Sequence, residues 1–246
     1  MARILGLITA RAGSQRVNRK NMRLLAGRPL ISYTIDAATQ SSLLDRVVLS
    51  TDCPIIANLA RQNDVEVPFM RPPGLAGSTS RVIDATLHAL QALETHDAYR
   101  PDAVMLLQPT SPFRTCEDID QTIEMFTLSR RSKAVVSVTT DSHHPFLSRG
   151  IDDKGALTSL PGFSPWHQDL PPTFRINGAV YLVRTKTLRR TRNWSPDHAL
   201  AYLMPAERSF DIDTERDFML AQCAMTHRLR GDNALDALLA QQQQAA

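Results

Sequence analysis

Short runs of apolar residues alternate with longer segments of helical periodicity along most of the chain. The apolar runs are rich in valine, isoleucine and leucine, as buried strands are, and they fall at residues 3–9, 45–51, 65–70, 102–108 and 133–140. The segments with apolar residues at i, i+3 and i+4 fall at residues 29–41, 54–63, 80–94 and about 116–129. This alternation predicts a three-layer α/β fold, in which a mostly parallel sheet carries helices on both faces.

Residues typical of helix starts support these boundaries. Pro29 and Pro54 suit the first turn of the first two helices. Thr-x-x-Asp pairs at 115–118 and 214–217 form capping-box patterns. The second pair predicts a last helix at roughly 214–230.

The regular pattern lapses at about 141–172, where prolines and glycines are frequent, and returns with apolar runs at 174–184 and 199–205. We interpret the lapse as an excursion from the sheet rather than a linker between domains. The sequence thus predicts a single domain over residues 1–236. The glutamine-rich segment 237–246 is expected to be a disordered tail.

Composition narrows the class of protein. The chain has 246 residues, of which 43% are apolar and 22% charged, as in a globular protein with a sizeable core. No segment approaches the roughly 20 apolar residues that span a bilayer, and the three cysteines are unclustered. These features favour a cytoplasmic protein that does not bind membranes. A net charge of +3 and 6% aromatic residues argue against a nucleic-acid-binding module.

A basic loop follows the first predicted strand, at residues 10–21. It carries Arg11, Arg16, Arg19 and Lys20 with no acidic residue among them. In an open parallel sheet, ligands bind beyond the carboxyl ends of the strands, and such a loop suits a chain of phosphates. The alternative interpretation is a solvated basic loop.

A pair of carboxylates, Asp211 and Asp213, flanks Ile212. Residues two apart on an extended segment face the same side, and Mg²⁺ is typically held by one or two carboxylates together with substrate phosphates. The alternative is that Asp213 caps the last helix and Asp211 is solvated. A phosphate-binding loop and a carboxylate pair in one α/β domain favour phosphoryl or nucleotidyl transfer.

Five motifs in order resemble the acylneuraminate cytidylyltransferases, which make CMP-sialic acid and the CMP derivatives of related nine-carbon keto sugars. The resemblance runs from about residue 3 to 220. The motifs are Ala10-Arg-Ala-Gly-Ser…Arg19-Lys-Asn21, Ser50-Thr-Asp52, Leu107-Gln-Pro-Thr-Ser-Pro-Phe-Arg114, Phe174-Arg-Ile-Asn-Gly-Ala-Val-Tyr181 and Asp211-Ile-Asp-Thr-Glu215.

The resemblance implies a nucleotide-diphospho-sugar transferase-like fold and transfer of CMP from CTP to the anomeric hydroxyl of an N-acylated nine-carbon keto acid, with release of pyrophosphate. It also implies roles for particular residues. Those expected to hold the nucleotide are Ala10, Arg11, Ser14, Lys20, Asn21, Arg71 and Ser80. Those expected to bind the acidic sugar are Gln108, Arg175 and Asn177. Asp211 and Asp213 would carry Mg²⁺ as the cofactor.

The chain departs from the family pattern at three places. Gln15 stands where many members have lysine, His167 where an arginine is usual, and Arg81-Val82 where two serines are common. The related keto-deoxyoctulosonate cytidylyltransferases carry an Arg-x-x-Ser-x-Arg-x-x-x-Lys loop, which residues 11–20 also fit. We therefore predict that Arg16 supplies the missing charge and acts with Arg11 and Lys20 in catalysis.

The excursion at 141–172 is predicted to be a small protruding arm that joins two copies into a homodimer. It contains Phe146, Leu147, Phe163 and Trp166, whose apolar area a monomer rarely exposes. The basic run at 184–192 is interpreted as a solvated face. Two alternatives to the proposed activity remain at this point: a cytidylyltransferase for an eight-carbon keto-deoxy sugar, and a noncatalytic CTP-binding protein.

Overall fold

The computed structural model describes residues 2–14, 16–129, 132–141, 144–145, 148–159 and 171–230. Gln15, His167, the aromatic residues of the predicted arm and the tail at 237–246 lie outside these ranges. Among the described residues, no helix combines the length and apolarity that crossing a bilayer requires.

Ten strands and six helices follow one another along the described chain. The strands are β1 (Ile4–Thr9), β2 (Leu24–Leu25), β3 (Arg28–Pro29), β4 (Arg46–Ser50), β5 (Ala103–Leu107), β6 (Ala134–Thr140), β7 (Arg149–Ile151), β8 (Leu157–Ser159), β9 (Phe174–Arg184) and β10 (Leu200–Leu203). The helices are α1 (Leu30–Thr39), α2 (Pro54–Arg61), α3 (Val82–Asp97), α4 (Cys116–Leu128), α5 (Thr185–Thr191) and α6 (Glu215–Arg230). Short 3₁₀ turns lie at Lys20–Met22, Pro73–Leu75 and Ala206–Arg208.

The central sheet has six strands in the order β10-β6-β9-β5-β1-β4. β1 is parallel to β4 and β5, and β6 is parallel to β10, whereas β9 is antiparallel to both of its neighbours. The predicted mostly parallel α/β sheet is therefore confirmed, with one reversed strand near its centre. The carboxyl ends of β1 and β5 lie side by side, because Ile8 pairs with Leu107.

Two apolar clusters cover the two faces of the sheet. On one face, alternate strand residues such as Ile4 and Leu49 pack against α1, α2 and α4. On the other, Leu5 and Val104 pack against α3 and α5. The alternation along each strand delivers neighbouring side chains to opposite faces, which gives the predicted three layers.

The predicted strand at 65–70 is wrong. This segment makes a single parallel bridge between Glu66 and Val48, with Glu66 donating to Val47 and accepting from Leu49. Pro68, two residues after Glu66, has no N–H to continue the ladder. Val65 is nevertheless buried, which accounts for the apolar pattern.

The structure corrects one further detail. The first helix begins at Leu30, so Pro29 is the residue before it, whereas Pro54 does occupy the first turn of α2. The basic run at 184–192 contains α5, whose Thr187 and Leu188 are buried, whereas its basic residues from Lys186 onwards are exposed, as a solvated face requires. Both predicted capping boxes are present: Thr115 and Asp118 bond reciprocally, and so do residues 214 and 217.

Candidate active site

A cavity of about 200 Å³ opens at the carboxyl ends of β1 and β5. Its walls are formed by the loops that follow β1 and β5 and by residues 71–82, which come after β4 and α2 and lead into α3 (the loop after β4). The lining residues are Thr9, Arg11, Gly13, Ser14, Lys20, Asn21, Arg71, Leu75, Ser80, Arg81, Val82, Gln108, Pro109 and Thr110. This is the position at which open parallel sheets bind ligands.

The loop after β1 is held by its own polar side chains. Asn21 Nδ2 donates to the carbonyl oxygen of Arg11 at 3.0 Å, and the N–H of Ala12 donates to Asp52 Oδ1 at 2.8 Å. Arg11 itself donates to the carbonyl oxygen of Gly77, which joins this loop to the one after β4. The cationic side chains are thus fixed at the strand edge before any ligand binds.

Arg71 lies in the wall formed by the loop after β4. Its Nε donates to Ser50 Oγ at 3.0 Å and its Nη2 to the carbonyl oxygen of Ser50 at 2.6 Å. Burial lowers the pKa of Arg71, an effect opposed by Asp52 and reinforced by Arg11. Ser50 and Asp52 thus do more than end β4, because they orient a cavity-lining cation and the basic loop.

Asp211 and Asp213 are exposed on either side of Ile212, which is fully buried. Ile212 packs in an apolar cluster that also contains Val17 of the basic loop and Phe218 of α6. The N–H of Ile212 donates to the carbonyl oxygen of Thr110 at 2.9 Å. The carboxylate-bearing segment is therefore attached to the loop after β5.

The basic loop contacts this segment through Lys20. Lys20 Nζ donates to the carbonyl oxygen of Ile212 at 2.6 Å and lies 3.3 Å from Asp213 Oδ1. Arg16 Nη1 lies 3.5 Å from Asp213 Oδ2. Two cations thus balance the more exposed carboxylate of the pair.

The carboxyl of Asp211 is crowded by protein atoms although it keeps contact with solvent. Desolvation raises its pKa, a hydrogen bond from Thr110 and the charge of Lys20 lower it, and Asp213 raises it further. Gly178 lies directly against it: its φ is +77°, and an added Cβ would lie 3.2 Å from Asp211 Oδ2. The positive φ favours glycine here, and a side chain would also press against the carboxyl of Asp211.

The two carboxylates suit a divalent cation only if a bound substrate supplies further ligands. The described residues contain no group of three or more His, Cys, Asp or Glu side chains that would form a metal cage. Two exposed carboxylates next to a cationic cavity match the way in which Mg²⁺ is usually held, by one or two carboxylates plus substrate phosphates. The donor set therefore fits Mg²⁺ bound together with a phosphorylated substrate.

Asn177 is buried behind the pair rather than exposed in the cavity. Its Oδ1 accepts from Ser137 Oγ at 2.6 Å and from the N–H of Ala179 at 3.2 Å, and its Nδ2 donates to Ser209 Oγ at 2.9 Å. A contact from Nδ2 to Met204 Sδ at 3.3 Å completes its bonding. With all its hydrogen-bonding groups engaged, Asn177 is placed to position its neighbours.

The structure brings most of the predicted site residues together. The seven that line one cavity are Arg11, Ser14, Lys20, Asn21, Arg71, Ser80 and Gln108. Ala10 lies beneath it, 1% exposed, with its N–H bonded to Ser50. Arg175 is exposed at the start of β9, and Arg16 lies beside Asp213 outside the cavity lining.

Sequence reasoning missed several lining residues, notably Thr9, Thr110 and Arg81. Thr9 ends β1 and Thr110 lies shortly after the end of β5. Their position at strand ends is the feature of the sequence that could have identified them. A larger groove of about 630 Å³ lies elsewhere, lined by Arg100, Lys186 and Arg189 among others. None of the predicted site residues lines it.

Comparison with known proteins decides the family. The family model described as cytidylyltransferase matches residues 5–151, more than half of the chain. The chain belongs to the cytidylyltransferase family. It is 39% identical to the CMP-N,N'-diacetyllegionaminic acid synthase of Legionella pneumophila, over 91% of this chain and 96% of that protein.

Other cytidylyltransferases extend the comparison. The N-acylneuraminate cytidylyltransferase of Escherichia coli O18:K1:H7 is 30% identical over 89% of this chain, which spans 51% of that protein. A solved structure of CMP:2-keto-3-deoxy-manno-octonic acid synthetase complexed with CTP superposes with a TM-score of 0.70, at 14% identity, over 92% of this chain and all of that chain. The last likeness shows a shared fold.

Proposed function

We propose that this cytidylyltransferase transfers CMP from CTP to the anomeric hydroxyl of an N-acylated nine-carbon keto acid and releases pyrophosphate. The observation that carries the proposal is one cavity that is lined by both the basic loop and Gln108. Thr110 also lines it and accepts a hydrogen bond from Ile212, so the segment that bears the carboxylate pair is attached there. The 39% identity to a CMP-N,N'-diacetyllegionaminic acid synthase supports the class of acceptor.

The nucleotide would be held by the loops after β1 and β4. Arg11, Ser14 and Lys20 offer cationic and hydroxyl donors for phosphate oxygens, as charge-assisted hydrogen bonds require. Asn21 and Arg71, fixed by their bonds to Arg11 and Ser50, would define the nucleoside end, with Ala10 and Ser80 close by. These groups are already ordered by internal hydrogen bonds, so little reorganisation is needed on binding.

The sugar would enter from the side of Gln108 and Arg175. Gln108 lines the cavity at the end of β5, and the exposed guanidinium of Arg175 suits a bidentate pair with the carboxylate of a keto acid. Asn177 would act as a positioning residue, because its bond to Ser209 supports the segment that leads to Asp211.

Asp211 and Asp213 would hold Mg²⁺, which when bound neutralises phosphate charge and polarises the attacking oxygen. The chain's own contribution is to align the reactants. The hydroxyl must approach the α-phosphorus in line with the leaving pyrophosphate, and fixed cations must match the charge that develops there. Lys20 spans the basic loop and the Asp213 segment, so it couples nucleotide binding to the placement of the carboxylates.

Pyrophosphate release tests this proposal. The purified protein is assayed with each nucleoside triphosphate against sialic, legionaminic and pseudaminic acids, an eight-carbon keto-deoxy sugar acid and sugar-1-phosphates. We expect turnover with CTP on a nine-carbon acid. Turnover only with another triphosphate, or only with sugar-1-phosphates, would contradict the proposal, and CTP binding without pyrophosphate release would favour a noncatalytic protein.

We also propose a cytoplasmic homodimer joined through residues 141–172. Supporting it, Phe174 and Ile176 at the base of the segment are 52% and 46% exposed. Residues two apart on a strand face the same side, so they form an apolar patch that a partner subunit would cover. Light scattering at micromolar concentration should give twice the 27.4 kDa chain mass. A single species at the mass of one chain would contradict this proposal.

A further inference from the structure

Arg81 is a further cation that lines the active-site cavity. It lies immediately before α3 and lines the cavity together with Ser80 and Val82. Its side chain is 66% exposed, so its guanidinium is accessible to a ligand entering from solvent.

The other lining cations are already bonded to the protein. Arg11 donates to the carbonyl oxygen of Gly77, Lys20 to that of Ile212, and Arg71 to Ser50. Arg11 is engaged through Nη1 alone, Arg71 through Nε and Nη2, and Lys20 through Ile212 and Asp213. These contacts hold the three cations at the cavity, and their remaining N–H groups stay open to phosphate.

The side chain of Arg81, like that of Arg11, has one polar partner in the described part of the chain. That partner is Asp84, through Nε at 3.3 Å, and the terminal nitrogens Nη1 and Nη2 have no protein acceptor there. Asp84 also accepts from Arg192, so its single charge is shared between two guanidinium groups. Arg81 thus adds a positive charge with two available donor nitrogens to the lining of the cavity.

The first turn of α3 adds to the attraction for anions. Val82 begins this 16-residue helix and lines the cavity. Backbone N–H groups at a helix N-terminus and the helix dipole both favour negative charge. The charge of Asp84 in the same turn opposes this, but it is paired to arginine on both sides.

We propose that Arg81 binds a phosphoryl oxygen of the nucleotide and supplies the positive charge that Gln15 lacks. The inference rests on the proposed binding of CTP, and it replaces Arg16 as the compensating cation. Arg16 is 73% exposed, lies 3.5 Å from Asp213 and is outside the cavity lining. The planar fork of an arginine suits two phosphate oxygens at once.

The test is isothermal titration of the full chain with CTP, pyrophosphate and cytidine. The proteins are wild type, Arg81→Ala, Arg81→Lys, Arg16→Ala and a control, Arg100→Ala. Arg100 has a comparable exposure of 74% and a single ion pair with Glu94 in the distant groove. Thermal melting verifies that every variant is folded.

We expect Arg81→Ala to weaken CTP and pyrophosphate by about tenfold or more, the loss of one charge-assisted contact, and to leave cytidine within about twofold. Arg81→Lys should restore part of the affinity, Arg16→Ala should weaken CTP less than Arg81→Ala does, and Arg100→Ala should bind CTP nearly as wild type does. Unchanged CTP affinity in Arg81→Ala, or an equal loss for cytidine, would overturn the inference. Wild-type protein that binds no CTP would overturn the proposed function itself and this inference with it.

Discussion

Replacement of Arg208 by alanine should destabilise the fold far more than its partly exposed position suggests. Arg208 Nε and Nη2 donate to the carboxylate of Asp118 at 3.1 and 2.8 Å. Asp118 is 0% exposed and also accepts from the hydroxyl of Tyr202 and the N–H of Thr115. Without Arg208 the buried carboxylate loses the cation that is hydrogen-bonded to it, and only the charge of the nearby buried Arg114 remains.

The magnitude follows from what remains around Asp118. Breaking a buried ion pair by removing one partner costs about 3–5 kcal/mol. The remaining bonds from Tyr202 and Thr115, and access of water through the third of Arg208 that is exposed, place this case near the lower end, at about 3 kcal/mol. Asp118→Asn removes the charge that needs a partner, so it should cost less, at about 1–2 kcal/mol.

Urea denaturation measures both free energies of unfolding. The matched control is Arg189→Ala, which breaks an exposed pair with Glu94 and should cost under about 1 kcal/mol. Because Arg208 lies just before the carboxylate segment, we also expect its alanine variant to need more Mg²⁺ for half-maximal activity. If Arg208→Ala is no more destabilising than Arg189→Ala, the reasoning about the buried carboxylate is refuted.

Three further predictions concern the active site. Asp211→Asn or Asp213→Asn should lower kcat strongly with the fold intact, and raised Mg²⁺ or Mn²⁺ should restore part of the activity. Near-normal activity in both variants would contradict metal binding and leave Asp213 only as a helix cap. Because desolvation raises the pKa of Asp211 in the folded protein, its contribution to stability is present at low pH and lost as the pH rises through that pKa. Between acid and neutral pH, the free energy of unfolding should therefore fall less in Asp211→Asn than in the wild type. An identical pH dependence in the two proteins would contradict the raised pKa of Asp211. Gln108→Ala should raise KM for the sugar more than KM for CTP, and the opposite order in steady-state kinetics would move Gln108 to the nucleotide end.

Much of the fold follows from local patterns in the sequence. The strand–helix alternation and the two capping boxes are set by neighbouring residues, and the structure contains them. The reversed direction of β9 is different, because it depends on pairing with β5 and β6, which are distant in sequence. Helix α5 was missed because its seven residues are too short to show a period and only Thr187 and Leu188 are buried.

The candidate site also combines features that the local sequence predicts with features that depend on residues distant in sequence. A basic loop at a strand end and two aspartates around an apolar residue are local signals, and the structure places them next to each other through Lys20. The resemblance implies that Asn177 binds the sugar, yet its amide is buried in contacts with residues distant in sequence, which are Ser137, Met204 and Ser209. Arg81 shows no local pattern at all, since only the folding of its loop over β1 brings it to the cavity.

The most direct measurement of the proposed chemistry follows one oxygen atom. The nine-carbon keto acid is labelled with ¹⁸O at its anomeric hydroxyl and incubated with CTP, Mg²⁺ and the protein, and the products are analysed by ³¹P NMR and mass spectrometry. Attack of that hydroxyl on the α-phosphorus predicts ¹⁸O in the bridge between sugar and phosphorus of the CMP-sugar, and none in pyrophosphate. Two results would contradict the proposed transfer. One is an unlabelled CMP-sugar formed while the remaining substrate has kept its label, and the other is ¹⁸O in the pyrophosphate.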